Sequence, residues 1–553
     1  MPLLVAPLRN RLVAAAIALI IVGAILLVGW PAIHGFWVRD DLTQLAYVRL
    51  LGSPWPLFVT DHFPVPGSIF RPLGFASLWL SERLFGNDFA SNSVADLVLH
   101  GLVVLALYRL MRVSTARAAA FACCLLFALL PVVLATVMSW SNRFDLLAVL
   151  FTLITLRSVF DWIRSERLHH LLVAPVAMLA ALLSKESGAI AVVGAALVIG
   201  DAALGNRMRW RRAALGFGAI GLVGVGYVIW RRAILGPATN AITGDGSLVE
   251  TLARGSLLWW QHLGAYVGAS TRVPLLAVAA LVIVLVMIAA SWQRSSQKNR
   301  GVAHSLALVA LAVIVLPGIL QSPITVLTAV PATAGMSPVE LGMQARLYYT
   351  ACCGFALLLA LGIEIVRNHR KQLVVPAVVS LFVLVGIAAV SSHSLARAHA
   401  QRSLTIAAPA RGVVDYIAAH PLPQTRCRVV ILGYQPPPEW ANVTPLDSVI
   451  KALVPDLDRV SSCLFANEHK TYIHQFAAGR VTPGDLEPWR PRLHAGQAMP
   501  WLHVGGLEIA YLDPPAQLTA TDRADILFLA IDADHVIDVS AAVRARVREV
   551  HLH

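Results

Sequence analysis

Apolar residues fall in long blocks along most of this chain, not in short alternations. Runs near 11–30, 92–112, 117–137, 143–162, 169–184, 187–205, 212–230, 274–292, 302–321, 346–366 and 373–391 have the length scale of a ~30 Å hydrocarbon layer. Inside lipid, every backbone N–H and C=O must find a partner within its own segment, so these runs predict helices and exclude open sheets. The pattern predicts an all-α polytopic membrane domain of about eleven transmembrane helices.

The loops between the blocks alternate in charge. Arg109/Arg112/Arg117, Arg164/Arg167, Arg207/Arg209/Arg211/Arg212, Arg294/Lys298/Arg300 and Arg367/Arg370/Lys371 occupy every second loop. Basic clusters mark cytoplasmic loops, so these loops and the N-terminus are expected inside. The loop 31–91 is then outside, as are Ser139–Arg143, Ser184–Ser187, Arg231–Arg254, Gln321–Ala345 and the tail from 393. The short apolar segment 256–271 would break that alternation if it spanned. Its tryptophans suit headgroup depth, and it is expected to be an interfacial or re-entrant helix.

Two stretches outside the blocks have patterns of their own. In the first outer loop, Leu42–Leu51 reads as a short amphipathic helix, Pro54, Pro56, Pro64, Pro66 and Gly67 then interrupt any regular element, and Gly74–Leu84 reads as a second helix. In the tail, Arg428–Gly433 and Asp525–Ile531 read as buried strands and Val539–Val550 as a helix. The expected division is a membrane domain over 1–392, with a structured loop 31–91, followed by a small α/β extracytoplasmic domain over 393–553.

Composition sharpens this picture. The 553 residues are 57% hydrophobic and only 14% charged. Lys and Arg outnumber acids 44 to 31, a formal charge of +13, but the excess lies at span ends, and no basic-aromatic patch points to nucleic acid. Arg9 and Arg11 before a long apolar run, with no convincing cleavage site, read as a retained signal anchor. Of six cysteines, four lie in apolar runs, while Cys427 and Cys463 lie in the tail, either bridged or as two buried thiols.

Against so apolar a background, the adjacent acids Asp40 and Asp41 stand out, because an acid pair at a membrane boundary is costly to desolvate. Further charged groups share that outer depth: Arg71, Arg143, Lys185, Arg231 and Arg346, accompanied by Asp145 and Glu186, with His100 one turn after Asp96 in the second span. Each has an ordinary structural explanation as a snorkelling or capping group. As a set drawn from separate outer segments, they describe a pocket for an anionic headgroup with carboxylates beside it. A phosphate leaving group needs its charge neutralised, and an attacking hydroxyl needs a base. The acid pair is also chemically able to hold a divalent cation, but two carboxylates do not establish a metal site, and none is assigned.

The same residues resemble a known family. Asp40-Asp41, Phe70-Arg71-Pro72-Leu73, Asn92 with His100, Ser139-Trp140-Ser141-Asn142-Arg143-Phe144-Asp145, Leu183-Ser184-Lys185-Glu186 and Arg346-Leu347-Tyr348-Tyr349 match, in order, elements of the GT-C glycosyltransferases that use polyprenyl-phosphate sugars. The nearest resemblance is to the transmembrane and tetratricopeptide-repeat O-mannosyltransferases and their bacterial relatives. Asn142 replaces the family's glycine, and the spacing from Asn92 to His100 is stretched. The resemblance covers roughly 10–390, and the tail shows no ~34-residue period.

The resemblance implies an inverting sugar transfer to a hydroxyl of a protein, lipid or envelope glycan on the outer face. Asp40 or Asp41 would be the base, with Asp40 preferred. Arg71, Arg143, Lys185 and Arg346 would contact the donor phosphate or hold the first loop, and His100 would orient an acid; the charge pattern adds Arg231 as a further phosphate candidate, with Asp145 and Glu186 in support. Expected partners are a polyprenyl-phosphate-linked sugar, a hydroxyl acceptor and membrane lipid, without cofactor or nucleic acid. The expected location is a bacterial inner membrane, with the site periplasmic. A lipid-linked anion transporter fits less well, because the charges cluster at the boundary and not at the midplane. An envelope assembly protein working through its tail is the other alternative.

Overall fold

The computed structural model describes residues 2–60, 69–236, 250, 252–259, 261, 300–320, 337–369 and 371–420, and in the tail 422, 427–432, 434, 446–461, 463–467, 502–504, 507–509, 526–532 and 535–542. Its principal helices among the described residues are, in chain order, α1 (Pro2–Gly29), α2 (Asp40–Leu50), α3 (Pro72–Phe85), α4 (Phe89–Met111), α5 (Arg117–Leu129), α6 (Pro131–Val137), α7 (Arg143–Ser165), α8 (Leu168–Ser184), α9 (Ala189–Leu204), α10 (Trp210–Leu235), α11 (Arg300–Leu320), α12 (Pro338–Ala345), α13 (Tyr349–His369), α14 (Val374–Ala419) and α15 (Leu446–Leu453).

Among the described residues, eight helices are long and apolar enough to cross a membrane, or nine if one bent pair counts as a single span. This is an integral membrane protein. The bent pair is α5 and α6, which meet at 60°. Pro131 opens α6 and holds Leu130 extended (φ −63°, ψ 133°), because its ring excludes the preceding residue from the helical region. The expected span at 169–184 is a helix of 17 residues, and the one at 274–292 lies outside the described residues. The last expected span, 373–391, is the start of a 46-residue helix, so the stretch beyond 393 begins as its continuation.

Two compact units make up the structure. The first comprises Met1–Gly35, Phe70–Gly74 and Ala90–Ala400; the second comprises Phe36–Ile69, Phe75–Phe89 and Gln401–His553. The division expected from sequence grouped loop 31–91 with the membrane helices, whereas these two units share that loop between them. Most of the first outer loop belongs with the tail and not with the membrane helices, because its side chains find their partners there.

In the first unit, residues 252–259 are helical, and most of the segment 256–271 expected to be interfacial or re-entrant lies outside the described residues; Trp259 packs inside the protein. It is fully buried, donates Nε1–H to Leu347 O at 3.1 Å, and packs on Tyr348 with ring centroids 5.1 Å apart. A buried indole N–H must find an acceptor, and the Leu347 carbonyl supplies it.

In the second unit, a four-stranded sheet runs in the order β2-β1-β5-β6, with β1 Arg428–Leu432, β2 Leu464–Asn467, β5 Ile526–Asp532 and β6 His535–Asp538; β3 (Leu502–Val504) and β4 (Leu507–Ile509) form a separate antiparallel pair. β1 is central and parallel to both neighbours. Its unbroken Val-Val-Ile-Leu run is what a strand covered on both faces requires. Val429, Ile431, Phe465, Phe528 and Leu529 are all buried. Cys427 and Cys463, one residue before β1 and β2, are joined by a disulfide. The two expected strands form; of the helix expected over 539–550, residues 540–542 are helical and the rest lies outside the described residues. On α15, Asp447 and Lys451 form a buried ion pair at 2.9 Å; burial pushes the Asp447 carboxyl above its usual range, and Lys451 works against that shift.

Candidate functional site

The charged residues singled out in the sequence divide between the two units. In the first unit they gather around the tight turn from α8 into α9. Lys185 ends α8 in an extended conformation (φ −163°, ψ 155°), which reverses the chain. Gly188 makes the reversal possible: a Cβ there would stand 2.3 Å from both the carbonyl carbon and the oxygen of Ala181. Gly74, near the start of α3, allows a second close approach, since its Cβ would lie 2.5 Å from the Phe144 ring and 3.0 Å from Ser184 O.

That turn presents two adjacent charges to two other elements. Lys185 Nζ donates to Asp145 Oδ1 at 2.6 Å and Oδ2 at 2.7 Å, and the two side chains are 6% and 2% exposed. Asp145 lies in the first turn of α7, where a carboxylate also faces the positive end of the helix dipole. Arg71, just before α3, donates Nε–H and Nη2–H to Glu186 Oε2 at 2.9 and 2.7 Å, with its guanidinium 5.7 Å from the Phe144 ring centroid. Burial opposes the Arg71 charge, yet Glu186 and Asp145 hold its proton more firmly than usual.

Lys185 lies within electrostatic reach of both Arg71 and Arg346. Tyr227 on α10 lies within reach of Arg71, Glu186 and Arg231. Four of the five expected phosphate-binding residues therefore share one neighbourhood with two carboxylates. The fifth, Arg143, is committed to an ion pair of its own: its Nε donates to Asp96 Oδ1 at 2.6 Å, and its guanidinium sits 5.6 Å from the Trp140 ring centroid.

Both ring nitrogens of His100 are engaged. Nδ1 bonds Tyr349 Oη at 2.8 Å and Nε2 bonds Ala128 O at 3.2 Å. Its partners are a phenol and a carbonyl, not the acid that sequence reasoning gave it; Asp96, on the same helix face, is taken by Arg143. Sequence reasoning assigned no role to Tyr349, although it quoted the Arg346–Tyr349 element, nor to Tyr227, which carries no local signal. Among the described residues, no three His, Cys, Asp or Glu side chains gather as metal ligands.

In the second unit, Asp40 and Asp41 open α2. The preceding residue, Arg39, has φ 42°, an uncommon conformation for a residue with a side chain. The two acids differ in environment. Asp41 is fully buried, and its Oδ2 accepts the Val38 N–H at 3.4 Å, so it closes the start of the helix. Asp40 is only half-buried. Of the pair, Asp40 is the more exposed.

Residues 66–230 match the family model described as dolichyl-phosphate-mannose-protein mannosyltransferase. The match covers under a third of the chain and bears out the family resemblance over that stretch. Arg71, Asn92, His100, Arg143, Asp145, Lys185 and Glu186 fall within it; Asp40, Asp41, Arg231 and Arg346 do not. A comparison with curated proteins finds no match.

Solved structures with similarity include ArnT from Cupriavidus metallidurans, bound to undecaprenyl phosphate, at 12% identity and a TM-score of 0.46, with 89% of this chain and 97% of that one covered. Oligosaccharyltransferase AglB from Archaeoglobus fulgidus, in complex with an inhibitory peptide and a dolichol-phosphate, matches at 12% identity and a TM-score of 0.45, covering 80% of this chain. This chain spans 64% of that protein's length. Arabinosyltransferase EmbB from Mycobacterium smegmatis matches at 15% identity and a TM-score of 0.38, covering 70% of this chain and 41% of its own.

Proposed function

We propose that this protein is an inverting membrane glycosyltransferase that moves a sugar from a polyprenyl-phosphate donor to a hydroxyl of a protein, lipid or envelope glycan. The observation that carries this reading is the cluster of Arg71, Lys185, Asp145 and Glu186 inside the segment matching a mannosyltransferase family model. Arg346, within electrostatic reach of Lys185, and Arg231, within reach of the neighbouring Tyr227, add positive charge that suits a phosphodiester headgroup. Lys185 has three N–H donors, of which two serve Asp145, so one remains for a phosphate oxygen.

In this scheme Asp40 takes the proton of the acceptor hydroxyl as the hydroxyl oxygen bonds to the anomeric carbon from the side opposite the phosphate. The anomeric C–O bond to the phosphate breaks, and its electron pair leaves on the phosphate oxygen. Arg71, Lys185, Arg231 and Arg346 offset the charge that develops there. The resemblance, and the half-exposed position of Asp40, support it as the base. The tail disulfide supports an extracytoplasmic tail, as in a bacterial periplasm, because such bonds persist in oxidising compartments.

The test is Asp40→Asn in the full-length protein in lipid nanodiscs, supplied with polyprenyl-phosphate-linked mannose and a hydroxyl acceptor extract. Transfer should fall by at least ~100-fold, the usual scale for losing a positioned base, with thermal stability unchanged. Transfer at the unaltered rate would remove Asp40 from this role.

A further inference from the structure

Within the second unit, side chains tie together the ends of three helices. Arg49, in the last turn of α2, reaches the end of α15: Nη1 donates to the carbonyls of Lys451 (3.0 Å), Ala452 (2.8 Å) and Val454 (2.8 Å), and Nη2 to that of Pro455 (3.3 Å). A helix leaves its final carbonyls without intrahelical partners, and here a residue some 400 positions earlier supplies the donors. Glu82 on α3 stands 3.8 Å from Arg49 and offsets its charge. Asn87, just past α3, donates Nδ2–H to Leu453 O at 3.1 Å. Trp79 and Arg83 of α3 donate to Leu51 O, at the end of α2, at 2.9 and 3.1 Å. The other end of α2 carries Asp40.

We propose that the C-terminal domain is a mount that holds α2 at the angle catalysis needs, with Arg49 as the positioning residue. The proposal rests on Asp40 being the base. Asp40 lies nine residues before Arg49, or ~13 Å along a helix rising 1.5 Å per residue. A tilt of about 4° at the Arg49 end carries Asp40 by ~1 Å, a displacement of the size that costs about 100-fold in rate. The fork of guanidinium donors reaches several carbonyls at once, and a lysine ammonium cannot reproduce that span.

The test is Arg49→Gln in the full-length protein in nanodiscs. The kcat should fall about 10- to 100-fold while KM for the polyprenyl-phosphate sugar stays within about twofold. The Cys427–Cys463 bridge should persist, amide exchange along α2 should quicken, and Arg49→Lys should recover part of the rate. Asn87→Ala loosens α15 without touching α2 and should show a smaller loss in the same direction; it answers the question if Arg49→Gln does not fold. An unchanged kcat in the folded variants, or unchanged exchange along α2, overturns the mount. If Asp40→Asn transfers normally while Arg49→Gln still quickens α2 exchange, the catalytic assignment fails and the mechanical coupling stands.

Discussion

Removing the Lys185 ammonium tests whether the buried pair with Asp145 serves the donor phosphate or only the fold. With charge centres about 3 Å apart and an effective dielectric near 20, the attraction is about 5–6 kcal/mol. Desolvating the two ions costs several kcal/mol each, so the pair as a whole contributes little against a well-packed apolar pair. A one-sided deletion is different. Lys185→Met leaves the Asp145 carboxylate 2% exposed and unpaired, at a cost of about 3–5 kcal/mol. Asp145→Leu strands the ammonium at a similar cost, whereas the double variant, with neither charge left, should lose less than either. Ligand binding separates the two roles. A charged hydrogen bond to phosphate is worth about 1.5–3 kcal/mol, so affinity for a polyprenyl phosphate should fall ~10- to 150-fold in both variants lacking Lys185. Asp145→Leu keeps the ammonium and should keep that affinity. Stability is read by unfolding in mixed micelles and affinity by titrating the lipid phosphate into nanodiscs. A double variant with near-normal stability and unchanged lipid-phosphate affinity would refute a phosphate role for Lys185.

Three further predictions concern the disulfide and the turn at Gly188. Without reductant, the unfolded chain should expose four reactive thiols, Cys123, Cys124, Cys352 and Cys353, and with reductant six; six without reductant would exclude the bridge. Replacing Cys427 and Cys463 with serine should cost the tail about 4 kcal/mol by loop entropy, given their separation of 36 residues, measured by denaturant unfolding. Gly188→Ala should destabilise by roughly 1–3 kcal/mol and weaken donor binding, because its Cβ meets the Ala181 backbone, which cannot swing aside as a side chain can. Wild-type stability and affinity in that variant would show that the turn has room the distances deny.

The sequence alone determined the membrane class and most element positions, because both depend on local properties. An apolar run of spanning length has one backbone solution in lipid, and short unbroken apolar runs bounded by proline or glycine mark where strands and turns fall. The runs at 428–433 and 525–531 announced the sheet, whereas the span expected over 117–137 gave no sign of its break at Pro131. The family elements also named the residues that cluster, since motif order survives without knowledge of distance. Partner choice was not legible, because it depends on which groups meet after folding. Only the tertiary structure gave Asp96 to Arg143, paired His100 with Tyr349 and separated buried Asp41 from half-exposed Asp40. It alone attached the first outer loop to the tail, through an arginine and carbonyl groups some 400 residues apart. Backbone carbonyls are the same in every residue, so no side-chain pattern could have pointed to them.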